Sequence, residues 1–229
     1  IKSWDSKPWS FEDWRSIREN LDADDASTLG IRFVDSEYQN IVRVSASSVG
    51  EELYIMQPPV CGVHNRLSVD IMLREDNVKV IRLRSTVMIE NDADIPIIID
   101  ISDTRGDKEL CIGSKETKSL PIDLVYGGKL KIKPETNISY GWSEEQLYWK
   151  DAMKGCIALS CRATSKDDKS VYYFQAEAVY DKEEPLANVY PHMKLVVSAP
   201  LEIENLLPFD FKYRLYDKHA RKDWTGRVE

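Results

Sequence analysis

The chain has 229 residues, 42% of them hydrophobic and 31% charged, with a net charge of −8. That length holds one large domain or two ordinary ones with a sizeable core, and the composition is that of a folded, soluble chain rather than a disordered one. The acidic balance argues against a nucleic-acid binder and against docking on anionic lipid by charge, and no apolar run reaches membrane-spanning length.

The opening residues, Ile1 to Asp5, do not form a signal peptide, and the chain is expected to begin and end inside a repeat. Phe11, Trp14, Ile17 and Leu21 are at helix-like spacing behind Ser10, a plausible cap; a short helix or an irregular strand both fit. Residues 22–28 read as an acidic loop. Ile31–Val34 and Ile41–Ser45 read as strands joined by a turn through Asp35–Asn40, followed by a strand at Leu53–Met56 and a loop at Gln57–Asn65. Leu67–Leu73 and Val78–Leu83 are strands bent around Glu75-Asp76-Asn77.

Val87–Ile89, Ile97–Ile101 and Leu110–Ile112 continue the strand pattern. Ile122–Tyr126, Gly127-Gly128 and Lys129–Lys133 read as a hairpin with a two-glycine turn. Ser143–Ala152 is a second possible short helix. Cys156–Cys161 and Val171–Tyr180 form another hairpin, and Met193–Val197 is a strand. From Leu201 to Tyr213 the side chains alternate twice: Leu201 and Ile203 against Glu202 and Glu204, then Phe209, Phe211 and Tyr213 against Asp210 and Lys212. A period of two with apolar and aromatic residues on one face predicts half-buried strands, broken at Asn205 and Pro208.

This stretch occurs twice. Ile89-Glu90-Asn91 matches Ile203-Glu204-Asn205 at an offset of 205 − 91 = 114. Pro96 pairs with Pro208 at 208 − 96 = 112 if two residues are added in the first copy, which sets Ile97, Ile99 and Ile101 on Phe209, Phe211 and Tyr213. An offset near a hundred residues is the size of one β-sandwich. The predicted fold is therefore all-β, a tandem of β-sandwich repeats, mostly antiparallel. Residues 1–84 form the second half of one repeat and 85–197 a complete one; 198–229 start the next repeat or complete the preceding module.

A search for chemistry finds no constellation. His64, His192 and His219 have no Cys, Asp or Ser at a catalytic spacing, and there is no nucleophile elbow, phosphate loop or zinc motif. Cys61, Cys111, Cys156 and Cys161 form no Cys-x-x-Cys pair and are expected to be free or buried thiols in a reducing compartment. The carboxylate pairs, such as Glu144 with Glu145, are neighbours on one segment, not groups facing each other across a cleft. No catalytic residue, metal site or cofactor is predicted, and the chain is read as not an enzyme. Asn91 and Asn205, with Pro208, are the candidate partner-binding or repeat-organising residues. An amide at a strand corner either touches a ligand or ties the corner together.

The run Ser198-Ala-Pro-Leu-Glu-Ile-Glu-Asn-Leu-Leu-Pro-Phe-Asp-Phe-Lys-Tyr-Arg-Leu-Tyr-Asp217 carries a resemblance, with Gly141-Trp-Ser143, Tyr148-Trp-Lys-Asp151, Leu159-Ser-Cys161 and Tyr173-Phe-Gln175 upstream. It resembles the adaptor-binding (VAB) domain of the vacuolar protein sorting 13, or chorein, proteins. The likeness covers most of the chain from Val87 on and is weaker before it; Asp92-Ala-Asp-Ile95 departs from the later copy's Leu206-Leu207. The resemblance implies an array of β-sandwich repeats, each with a retained asparagine, here Asn91 and Asn205. It also implies capture of Pro-x-Pro motifs of organelle adaptor proteins, which targets a long bridge-like lipid-transfer protein to membrane contact sites. The domain would then be cytoplasmic, peripheral at those sites, with membrane association indirect through adaptors and no nucleic-acid partner. Two other classes are weighed: a lipid- or membrane-binding β-sandwich, and a carbohydrate-binding or carbohydrate-active one suggested by the Trp, Tyr and acidic content.

Overall fold

The computed structural model describes residues 5–8, 28–34, 36–46, 48–59, 62–104, 108–165, 169–201, 203–217 and 222–228. It is an all-β chain of two compact units, 1–83 and 84–229. The candidate helix from Ser10 to Leu21 lies outside the described residues.

In the first unit β1 (Thr28–Ile31) pairs antiparallel with β2 (Ile41–Ser45). β3 (Gly50–Ile55), β4 (Arg66–Leu73) and β5 (Lys79–Ser85) form a three-stranded sheet in that order. Val44, Met56, Leu67, Val69 and Ile71 are buried. The first strand ends at Ile31, earlier than the apolar run through Val34 suggests, and Val34 is exposed. A register shift between Leu29 and Ile31 brings Ile31 opposite Ile41, the first residue of β2, so the ladder has no partner strand beyond it.

The second unit holds the complete sandwich. One sheet has the order β11-β12-β13-β6-β9 and the other β10-β7-β8. These strands are β6 (Val87–Asn91), β7 (Ile97–Asp100), β8 (Glu109–Ile112), β9 (Thr117–Ser119), β10 (Ile132–Pro134), β11 (Ile157–Arg162), β12 (Val171–Tyr180) and β13 (Met193–Ser198). All pairings are antiparallel except β13 with β6, where Met193 lies beside Val87 and Val197 beside Asn91. Alternation decides the core. Val87 and Ile89, Leu159 and Cys161, Phe174 and Ala176, and Leu195 and Val197 come from one sheet, and Ile97, Ile99, Leu110, Ile112 and Ile132 from the other. Burial pushes the Cys161 thiol up to about 12, so it acts as a small core side chain.

Residues 141–147 close one side of this sandwich by bonding to both sheets. Ser143 donates its N–H to Ile132 O at 2.8 Å, and Leu130 and Leu147 exchange bonds, which covers β10. Glu144 donates to Ser160 O, and the Glu145 carboxylate accepts from the Ser160 N–H at 2.7 Å, which covers β11. Desolvation raises the Glu145 pKa, but the Ser160 and Glu145 N–H groups, the Ser160 hydroxyl and Arg162 outweigh it, and the net shift is downward. This pairing uses the first half of the predicted second helix. Only Trp149–Ala152, α1, is helical.

The opposite side is guarded differently. Lys118 pairs with core-facing Ile89, yet its ammonium reaches across to Cys111 O on β8 at 2.7 Å. A lysine pointing inward from a three-residue edge strand discourages further pairing.

Two further sequence expectations change. The stretch from Ile122 to Lys133 is not a hairpin: Ile122–Leu124 is a 3-10 turn, and β10 pairs with β7 instead. Gly128 donates to Leu124 O at 3.0 Å, and a Cβ there would lie 2.7 Å from that oxygen. The glycines close a helical turn, and only one needs to be glycine. Residues 203–206, expected as a strand, are irregular; the strand β14 (Phe211–Asp217) begins later and pairs with β15 (Lys222–Val228). Its counterpart β6 is held on both sides, by β13 and β9, whereas 203–206 carries alternation without a ladder among the described residues.

Gly128→Ala should destabilise the chain by about 1–3 kcal/mol through overpacking. Gly127→Ala, whose Cβ would meet nothing within 4 Å, should stay within about 0.5 kcal/mol. Chemical denaturation of both variants checks this; equal losses would refute the close-approach account.

Candidate repeat-organising and partner-binding residues

Asn91 ends β6 where the chain leaves one sheet and crosses to β7 in the other. Its backbone N–H donates to Glu116 O at 2.9 Å, and the next N–H, of Asp92, donates to Val197 O at 2.8 Å. Its side chain is 0% exposed. Nδ2 donates to Ile95 O (2.8 Å), Gly113 O (2.9 Å) and Ile112 O (3.2 Å), and Oδ1 accepts from the Ala93 N–H (3.1 Å). One neutral side chain therefore joins the end of β6, the crossing 92–95 and the end of β8. A carboxylate in this place could not donate, and a leucine would take from the Ile95 carbonyl and the Ala93 N–H the partner they have here, while Gly113 O keeps the Glu116 N–H.

Neighbouring bonds brace the same corner. Lys115 donates to Asp92 O at 2.7 Å, Ser114 to Ala93 O at 2.9 Å, and the Gly113 N–H to the Glu116 carboxylate at 2.7 Å.

Asn205 repeats the local part of this arrangement. Nδ2 donates to Phe209 O at 3.0 Å, and Oδ1 accepts from the Leu207 N–H at 3.0 Å. Relative to the asparagine, these are the same positions, two and four residues on, as Ala93 and Ile95. The burial differs: Asn205 is half-buried, and Phe209 is 74% exposed. Leu207 is 64% exposed where Ala93 is 2%, and Leu201 60% where Val87 is 0%.

The geometry corrects the alignment of the two copies. The acceptors Ile95 and Phe209 give 209 − 95 = 114, and the first strand residues Ile97 and Phe211 give 211 − 97 = 114. No residues are inserted between the asparagine and the strand. Pro208 falls on Asp94, not on Pro96, and Ile97 and Ile99 fall on Phe211 and Tyr213. Pro208 is exposed in the turn between Asn205 and β14, and Pro96 instead gives its carbonyl to the Glu135 N–H at 2.9 Å. The two prolines resembled each other in sequence but hold different places.

No group of metal-ligating side chains is found among the described residues. His64 lies against Met56 O at 3.2 Å, while Cys61 and His219 lie outside the described residues. Cys111 and Cys156 are exposed thiols. Among the described residues no helix is long and apolar enough to cross a membrane. Sequence reasoning missed the bracing set of Ser114, Lys115 and Glu116. Their only signal is a polar run after an apolar strand, which any turn shares.

Residues 13–229 match the family model described as vacuolar-sorting associated protein 13, adaptor binding domain. Over 224 residues the chain is 34% identical to the intermembrane lipid transfer protein VPS13 of Chaetomium thermophilum. That alignment covers 96% of this chain and 7% of the relative, so the chain spans a small part of the relative's length.

Replacing Asn91 by Ala should cost about 2–4 kcal/mol, because buried backbone groups lose their partners. Asn205→Ala, half-exposed, should cost about 0.5–1.5 kcal/mol. Denaturation midpoints of the two variants measure the difference; similar costs would contradict the unequal burial.

Proposed function

The chain belongs to the adaptor-binding domain family of vacuolar-sorting associated protein 13, and from that premise we propose that it is a non-enzymatic module that captures Pro-x-Pro segments of organelle adaptor proteins. The observation that carries this reading is the family match, which runs over residues 13–229. By choosing the adaptor, the module would direct a bridge-like lipid-transfer protein to a membrane contact site. The domain itself would meet the membrane through its partners, on the cytoplasmic side. We read residues 85–197 as the complete repeat, 1–84 as the second half of another, and 198–229 as the start of a third or strands completing the preceding module. The shared hydrogen bonds of Asn91 and Asn205 favour this division.

The physical fit lies in strand chemistry. Successive N–H groups of an extended chain point to opposite sides. Prolines two residues apart therefore have both missing N–H groups on one side. The residue between them can direct its N–H and C=O to a sheet edge while the prolines face away. Such a peptide adds one strand and ends the sheet, since its outer side offers fewer donors. A net charge of −8 favours adaptor segments with lysine or arginine near the motif. In this reading Asn91 and Asn205 organise the repeats, and their loss weakens binding through the fold.

A lysine-flanked Pro-x-Pro peptide titrated against the chain should bind saturably with a Kd of about micromolar, weakening as salt rises. Liposomes of anionic lipid should not bring the chain up in flotation without an adaptor. No saturable peptide binding by a folded sample, or flotation without any adaptor, would overturn the reading.

A further inference from the structure

The hairpin of β12 and β13 closes on the pair Tyr180 and Met193, so its connection holds 193 − 180 − 1 = 12 residues. About two to five close most hairpins. The extra chain is held by its own hydrogen bonds. The Glu183 N–H donates to the Asp181 carboxylate at 2.9 Å, and the Ala187 N–H to Glu184 O at 3.2 Å. The N–H groups of Val189 and Tyr190 both donate to Leu186 O, at 2.9 and 2.8 Å, which winds 186–190 into an α-turn.

Positions three apart on such a turn share a face, so Leu186 and Val189 lie together. They are 48% and 47% exposed. Ala187, on the opposite side of the turn, is 6% exposed, and Pro191 is buried. The turn is therefore seated on the module by its small residue, while its two larger aliphatic side chains face water. Packing within the chain alone favours the reverse, because the larger side chain gains more from burial.

The charge beside this pair has one sign. Asp181, Glu183 and Glu184 are exposed, and Lys182 is the one cation of residues 181–191. Asp181 is engaged by loop backbone, whereas Glu183 and Glu184 make no ion pair among the described residues. Anionic lipid would be repelled here. So would a second copy of this chain, which itself carries a net charge of −8.

We propose that the connection 181–192 is an interaction surface that receives a basic amphipathic segment of a protein partner. An apolar side chain of that segment packs on Leu186 and Val189, and a lysine or arginine beside it meets Glu183 and Glu184. The surface is made of side chains on a loop, not of a strand edge, and its occupant needs no proline. It therefore stands apart from the Pro-x-Pro reading above.

The test titrates a synthetic amphipathic peptide of leucine and lysine, with no proline, against the full chain. Binding should be saturable, with a Kd on the order of tens of micromolar, and should weaken as salt rises. Leu186→Ser with Val189→Ser should weaken it about tenfold at an unchanged unfolding midpoint, since both side chains are half-exposed. Glu183→Lys with Glu184→Lys should weaken it about tenfold or more. Glu177→Lys with Asp123→Lys makes the same change in net charge at exposed positions away from the loop, and should alter the affinity by no more than about twofold. Deuterium uptake at 183–190 should slow when the peptide binds. Equal weakening by the two charge-reversed variants would mean attraction to the whole acidic chain and overturns the proposal. So does no binding by the wild-type chain, or binding that Leu186→Ser with Val189→Ser leaves unchanged. Flotation of the chain with phosphatidylserine vesicles that is lost in the Leu186→Ser, Val189→Ser variant would make the loop a lipid site and overturns it as well.

Discussion

A single neutral amide, fully removed from water, fixes the corner on which the complete sandwich depends. Asn91 ends a strand of the five-stranded sheet, and six residues later Ile97 begins the central strand of the other. A chain that changes sheets leaves backbone groups unpaired in the crossing. Here they meet one side chain that can donate twice and accept as well. The amide also reaches Ile112 and Gly113, so the crossing is tied to the end of β8. With that corner set, Ile97, Ile99 and Ile112 face Val87, Ile89 and Leu195 across the core. A slip of one residue would turn each of them outward.

The same economy of hydrogen bonds bears on function. A sandwich must dispose of its sheet edges, and this one does so with residues 141–147 on one side and an inward lysine on the other. The described side chains hold no metal-ligating group. The chain belongs to an adaptor-binding domain family.

Much of this was legible in the chain itself. The alternation in Val87–Ile89, Ile97–Ile101, Leu159–Cys161 and Met193–Val197 marked strands, because a period of two fits a half-buried strand wherever a neighbouring strand pairs with it. Asn91 stood out because Ile-Glu-Asn recurs 114 residues later. The parts that misled share a cause. Gly127-Gly128 fits both a hairpin and a helical turn, and only the distance to Leu124 O separates the two. Pro208 looked like Pro96 because proline is conspicuous, while the true register follows from hydrogen bonds at Ile95 and Phe209. Residues 203–206 alternate like a strand but have no ladder, and pairing partners distant in sequence leave no local trace. The small strand Thr117–Ser119 was missed for the same reason: an edge strand with an inward lysine has no apolar alternation.

The measurement closest to the central claim is hydrogen exchange at the corner, read by nuclear magnetic resonance on the Asn91 side-chain amide and the Ala93 backbone N–H. If this amide ties the two sheets together, both sites exchange only when the whole module unfolds, with the same protection as the core amides of Ile89 and Ile99. If they exchange through local opening while those core amides stay protected, the corner does not hold the sandwich, and the account built on it is wrong.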